Sequence, residues 1–147
     1  MAVFRDTPYG NARFSVEFDG MDPVKGIMEV ILPEMILEIE PIRTGDAPEN
    51  APLNSVRHPR FSNLVIRRYL SGSTDLYAWW KEVAQGSRDK ARRVTIHLWS
   101  EDGAAIVLSW NVNLATPVRY SFSPLNGNDG STVIETLEMG CHNVEIE

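Results

Sequence analysis

The sequence predicts a mainly β fold, a single-domain β-barrel or sandwich with one flanking α-helix. Apolar and polar residues alternate with a period of two along most of the chain, which is typical of half-buried strands. One segment, about residues 74–85, shows helical spacing instead, and a Pro-rich stretch, about residues 43–60, predicts a long arm loop. All 147 residues are expected to form one domain, residues 1–147. A count of roughly seven to nine strands favours a closed or nearly closed barrel, or a sandwich, because closure removes unpaired edges.

Three strands are predicted before the arm. Residues 14–18 alternate and end at an Asp-Gly turn, and residues 27–32 form a short apolar run that ends at a proline. Residues 35–40 alternate so that one strand face is apolar and the other becomes acidic at Glu38 and Glu40. Two carboxylates on one face could form an acid/base pair, but a solvated surface is the favoured interpretation.

The arm follows, with four prolines and few large apolar side chains between residues 41 and 60. This composition predicts an extended loop. A loop of this length inside a compact domain is usually functional or disordered. The residues alone leave two interpretations open, a surface loop without a partner and an arm that becomes ordered against one.

One helix is predicted to start at Ser73 or Thr74, because both residues are good N-caps, and to stop at Gly86. Tyr77 and Trp79 fall outside its predicted apolar face, so the helix is expected to be covered on more than one side. The residues at i, i+4, i+7 and i+8 spacing that form this face are Leu76, Trp80, Val83 and Ala84.

Further strands are predicted around the helix and through the second half of the chain. A Glu-Asp-Gly turn at residues 101–103, between alternating apolar residues, is a strong hairpin signal. The approximate strand positions are residues 64–70, 94–98, 106–112, 118–122, 133–138 and 143–147.

Charge is distributed unevenly along the chain, whose net charge is -6. Residues 57–93 hold nine basic and three acidic residues, whereas the remainder holds five basic and 17 acidic residues. The acidic balance argues against nucleic-acid binding as the main task, although Arg67 and Arg68 beside Tyr69 could stack on single strands. Opposite charges on two faces favour self-assembly, because complementary potentials fix register and speed encounter.

No motif in the sequence indicates catalysis. The three histidines are scattered, Cys141 is the only cysteine, and none of them has metal-ligand spacing. A nucleophile elbow, a phosphate-binding loop and a dinucleotide fingerprint are absent from the sequence. The sequence therefore predicts no catalytic site, no metal and no cofactor. A ligand-binding barrel and an enzyme with a dispersed site stay open as other classes.

Several motifs occur in a characteristic order. They are Pro8-Tyr9, FSVEFDG at 14–20, NLVIRR at 63–68, LYAWWKEV at 76–83, RRVTIHL at 92–98, EDG at 101–103, WNVNLATP at 110–117, Leu125-Asn126 and IETLEM at 134–139. In order and spacing they resemble the tail tube proteins of contractile phage tails and of extracellular contractile injection systems. The resemblance covers almost the whole chain. The arm departs from it, because this arm is Pro-rich where the family has a glycine-rich arm ending in Leu-Pro-Gly.

The resemblance implies a small β-barrel with a flanking helix, in six-membered rings that stack into a hollow tube. The implied partners are other copies of the chain, the surrounding sheath protein, baseplate or spike proteins, and DNA or protein cargo in the lumen. It implies assembly in the bacterial cytoplasm into a tail or tail-like particle, without membrane insertion. The alternative is a specialised tube-like subunit that joins the tube to the spike or baseplate.

Two sets of residues are predicted to act in such an assembly. A tube lumen with negative walls would repel anionic cargo, and the lumen-face candidates are Glu38 and Glu40. Ring stacking needs an arm and complementary charge. The assembly-interface candidates are Arg43, Asp46, Glu49, Asn54, Arg57, Arg60, Arg67, Arg68, Arg92 and Arg93.

Overall fold

A computed structural model describes residues 2–42, 45 and 53–147 of the chain, which are mainly β. The strands are β1 (Phe14–Phe18), β2 (Ile27–Ile31), β3 (Met35–Ile36), β4 (Ile39–Ile42), β5 (Leu53–Val56), β6 (Arg60–Phe61), β7 (Leu64–Tyr69), β8 (Arg92–Trp99), β9 (Ile106–Phe122), β10 (Ile134–Gly140) and β11 (Asn143–Ile146). The helix α1 spans Asp75–Ala84, and a short 3-10 turn follows at Arg88–Lys90. Among the described residues, no helix has the length and apolar character needed to cross a membrane.

Strand β9 pairs with three other strands of the main sheet, whose strands are all antiparallel and run in the order β1-β8-β9-β10-β7-β2. One edge of β9 pairs with β8, and the other edge pairs first with β11 and then with β10. Leu114, in the middle of this 17-residue strand, has a φ of 53°, a left-handed conformation that is rare for a bulky residue. This position marks the bend where β11 gives way to β10.

Of the predicted alternatives, a closed or nearly closed barrel or a sandwich, the fully closed form is not observed, because the sheet is open between its end strands β1 and β2. Side chains from the segment joining β1 to β2, chiefly Met21 and Val24, pack against the core at this gap. They leave a groove of about 740 Å³ beside β1. Side chains rather than strand pairing therefore cover this side of the core.

The core lies between the sheet and α1, which contributes Leu76 and Trp79. The predicted apolar face of the helix is partly wrong, because Trp79 is buried and Trp80 is only half-buried. The indole N–H of Trp79 donates to the Lys90 carbonyl at 2.7 Å, and its ring meets Phe18 edge-on at 5.8 Å. Burial of this large ring is possible because the 3-10 turn supplies a partner for its only polar group.

The described part of the arm is a two-stranded ribbon. Within the predicted loop of residues 43–60, residues 53–56 and 60 lie in strands, whereas residues 43, 44 and 46–52 lie outside the described residues. Strand β4 pairs with β5, β3 pairs with β6, and the Arg57 amide donates to the Glu38 carbonyl at 2.9 Å between these two ladders. We define the arm as residues 35–42 and 53–61. Pro41 is accommodated opposite Asn54, because a two-stranded ribbon has free edges where a missing N–H leaves no bond unmade.

Candidate assembly surface

The arm has an exposed apolar stripe. Met35, Leu37 and Ile39 are 50%, 63% and 63% exposed, and they alternate with Ile36, Glu38 and Glu40. Alternate residues of an extended chain lie on opposite faces, so the three side chains share one face of the arm. The stripe has no apolar neighbour that covers it among the described residues, which marks it as a contact surface.

The other arm face is charged, and its charges are paired within the subunit. Arg60 Nε lies 2.9 Å from Glu38 Oε1, and Arg57 Nη2 lies 2.7 Å from Glu40 Oε2. Two predicted interface residues thus meet the two predicted lumen residues on a single element. Exposed pairs of this kind contribute only about 0–1 kcal/mol to stability. Since these charges already have partners within the subunit, the apolar stripe is the part of the arm left for another molecule to cover.

Arg68 lies inside the subunit, so its prediction as an interface residue is wrong. Its side chain is 1% exposed, pairs with the buried Glu135, and donates from Nη2 to Asp75 Oδ1 at 2.5 Å. Nη2 also donates to the Ser73 carbonyl at 3.2 Å. A guanidinium enclosed in this way has no surface left for a neighbouring copy. It ties strands β7 and β10 to the start of α1.

The ionisation of this cluster follows from its burial and hydrogen bonds. Burial opposes the charged form of Asp75, but hydrogen bonds from Arg68 and the Leu76 amide outweigh it and hold the Asp75 pKa below its usual value. Burial also opposes the charge on Arg68, yet hydrogen bonds to the two carboxylates raise its pKa. Burial and the hydrogen bond to Glu135 raise the pKa of Tyr120, which keeps its hydroxyl protonated as a donor.

The remaining predicted interface residues differ in their surroundings. Arg67 is exposed and lies 3.4 Å from Glu29, and Arg93 is exposed beside the groove along β1. Arg92 is half-buried, donates to the Asp19 carbonyl at 2.7 Å and lies over the Trp79 ring at 5.6 Å. Arg93 and Arg67 therefore keep accessible charges. Those outside the described residues are Arg43, Asp46 and Glu49, and of Asn54 only the backbone is described, in β5.

An aromatic groove lies at the start of α1. It has a volume of about 360 Å³ and is lined by Leu70, Gly72, Ser73, Thr74, Tyr77, Tyr120 and Phe122, none of which is charged. The Tyr77 and Tyr120 rings lie 6.0 Å apart, and Tyr120 meets Phe122 edge-on at 5.1 Å. The sequence carried one signal for this surface, the position of Tyr77 outside the apolar face of the helix. Its neighbours on β9, Tyr120 and Phe122, could be recognised only from the folded structure.

The features described so far are surfaces that a partner could contact. Among residues 2–42, 45 and 53–147, no group of three or more His, Cys, Asp or Glu side chains is placed to hold a metal ion. Burial raises the pKa of the Cys141 thiol, which disfavours the reactive thiolate. The apolar stripe, the aromatic groove and the exposed arginines are the features that a partner could recognise.

The fold matches that of chains in several solved structures. A chain of an extracellular contractile injection system, in the PVC sheath–tube complex, superposes with a TM-score of 0.83 at 17% identity, covering 97% of this chain and 93% of that one. A chain in the six-fold symmetrised anti-feeding prophage baseplate gives 0.78 at 21% identity, covering 97% of both chains. Hcp1 from Flavobacterium johnsoniae gives 0.58 at 17% identity, covering 90% of this chain and 93% of that one.

The family follows from a sequence model rather than from these structures. The model described as T4-like virus tail tube protein gp19 matches residues 10–145, and the chain belongs to that family. The resemblance expected from the order of the motifs is thereby confirmed. None of the curated protein sequences compared with the chain matches it.

Proposed function

We propose that this tail tube protein is a structural, non-catalytic subunit that forms stacked hexameric rings around a hollow lumen. The observation that carries the proposal is the exposed apolar stripe on a projecting arm. Burying the still-exposed part of Met35, Leu37 and Ile39 against another copy would stabilise the contact by about 1–2 kcal/mol for each side chain. The same contact recurs in every copy of an assembly, so a modest gain per arm is sufficient for cooperative stacking.

The proposed partners follow from the family and from the surroundings of similar chains. Solved structures of similar fold come from a sheath–tube complex and a baseplate, which supports a sheath protein outside the tube and baseplate or spike proteins at one end. DNA or protein cargo would pass through the lumen. We propose assembly in the bacterial cytoplasm into a phage tail or an injection particle. The lumen position of Glu38 and Glu40 stays a prediction.

The test is negative-stain electron microscopy of the purified chain across a concentration and salt series. We expect rings with a central hole, or stacked tubes, and we expect Leu37→Asp to remain unassembled because it places a charge in the apolar stripe. Leu125→Asp, at an exposed apolar position in the loop after β9 and outside the arm residues, is the matched control and should assemble normally.

Two results would change the proposal. Normal tubes from Leu37→Asp would contradict the role of the arm stripe. Single rings that never stack, in the wild-type protein, would favour the alternative of a specialised subunit that joins the tube to the spike or baseplate.

A further inference from the structure

The arm and the aromatic groove lie at opposite ends of the same strand. The arm ends at Phe61, just before β7 begins at Leu64, and the groove begins at Leu70, just after β7 ends at Tyr69. A six-residue strand is about 20 Å long. Consistently, the base of the arm contacts β11, which pairs with the first half of β9, whereas the groove uses residues near the end of β9.

The groove is built to receive an apolar, extended segment. Its lining residues carry no charge, and Leu70, Tyr77 and Phe122 are 46%, 41% and 52% exposed. Its shape is held in place from beneath, because the Tyr120 hydroxyl donates to the buried Glu135. Tyr77 is fixed from the side by stacking on Trp80 at 6.5 Å. Rigid aromatic walls lose little conformational freedom when a partner binds.

We propose that the groove receives the apolar stripe of the arm from a second copy of the chain. The stripe supplies three apolar side chains in a line at every second residue, which is the form of occupant that an uncharged surface groove fits. Since the two surfaces differ and lie at opposite ends of β7, the contact is heterologous. A pair joined in this way keeps one free groove on one copy and one free arm on the other, so the contact can propagate to further copies. This proposal rests on the proposed function and names the surfaces that the copies use.

Site-directed cross-linking tests the contact directly. In a Cys141→Ala background, one copy carries Leu37→Cys in the stripe and the other carries Phe122→Cys in the groove. The two are mixed under mild oxidation, and disulfide-linked dimers are measured on a non-reducing gel. The matched control pairs Leu37→Cys with Ile146→Cys, which is exposed to a similar degree at the other end of β9. We expect a yield at least about tenfold above the control, because the bound arm raises the local thiol concentration.

A charge in the groove gives a second, independent measurement. Phe122→Asp should raise the protein concentration needed for assembly by at least about tenfold, since an unpaired carboxylate would be buried against the arm. Val118→Asp, on the same strand and 55% exposed compared with 52% for Phe122, is the matched control. Circular dichroism and thermal melts of both variants establish that they are folded.

The outcomes separate this proposal from the proposed function. If the wild-type protein forms rings or tubes but no cross-link exceeds the control, the groove is not the site of the arm and the tube function still stands. The same conclusion follows if Phe122→Asp assembles normally. The groove would then belong to another protein or a small apolar ligand. Absence of wild-type assembly together with a strong cross-link would support the arm–groove contact and overturn the proposed tube.

Discussion

At the scale of single residues, Arg68 connects two strands of the sheet to the helix. It faces Glu135 directly across the β7–β10 ladder and reaches Asp75 at the start of the helix. A buried carboxylate left without its cation cannot recover the lost hydrogen bonds from water. The cluster therefore makes the position of α1 depend on one guanidinium.

Arg68→Met is expected to lower the free energy of unfolding by about 3–5 kcal/mol, because it leaves Glu135 charged and unpaired in the interior. Urea denaturation monitored by Trp fluorescence measures the change. Arg67→Met is the matched control on the same strand, where the side chain is exposed, and it should change stability by about 0.5 kcal/mol or less. Adding Glu135→Leu to Arg68→Met should recover part of the lost stability. Equal losses from Arg68→Met and Arg67→Met would refute this account.

The different positions of Arg67 and Arg68 could have been predicted from the sequence. Arg68 shares its period-two position with Leu64 and Ile66, both fully buried, whereas Arg67 falls on the opposite face. The sequence could not reveal that Glu135 lies opposite, because cross-strand register depends on turns far along the chain. The two adjacent arginines therefore lie on opposite faces of β7, although both are predicted interface residues.

At the scale of elements, the helix was predicted at about the right place and with the wrong buried face. The observed bounds, Asp75–Ala84, lie within the predicted residues 74–85. Helical spacing alone could not choose between adjacent tryptophans. The choice depends on the Lys90 carbonyl and on Phe18, which the fold brings to Trp79. In the same way, the proline content of the arm concealed a hairpin, because free ribbon edges tolerate proline.

Trp79→Ala should destabilise the subunit by about 3–5 kcal/mol, because it removes a buried ring and leaves a cavity between α1 and β1. Trp80→Ala, the adjacent and half-buried position, should have a clearly smaller effect. Thermal melts of the two variants compare them directly. Equal losses would mean that the helix buries both faces to the same extent and would contradict the structure.

At the scale of the whole molecule, order and spacing of weak motifs predicted more than any single residue did. The family assignment and the mainly β fold with one helix are confirmed. The sequence left closure of the barrel open, because a strand count does not say whether the end strands meet, and the sheet is open between β1 and β2. The surfaces that copies would share stay a prediction, and charge along the sequence does not reveal which charges pair within the subunit.

The accessible part of the basic segment should still contribute to association between copies. We expect Arg93→Glu to weaken assembly and to reduce its weakening by salt, because the variant lacks the attraction across the contact that salt screens in the wild-type protein. Light scattering at about 50 and about 500 mM salt measures both effects, because the screening length is long at the lower concentration and short at the higher one. Lys25→Glu makes the same charge change outside the basic segment, and identical behaviour of the two variants would contradict a specific role for Arg93.

The pairing order of the sheet has a consequence for how the chain acquires its structure. Strands β8 to β11 follow one another closely along the chain, whereas β1 pairs with β8 through Phe14 opposite Leu98, and β2 pairs with β7 through Ile27 opposite Arg68. Contacts between distant residues close long loops and form slowly. We therefore expect the C-terminal meander to form first, and β1 to pair only after β8, which follows it much later in the chain, has been synthesised.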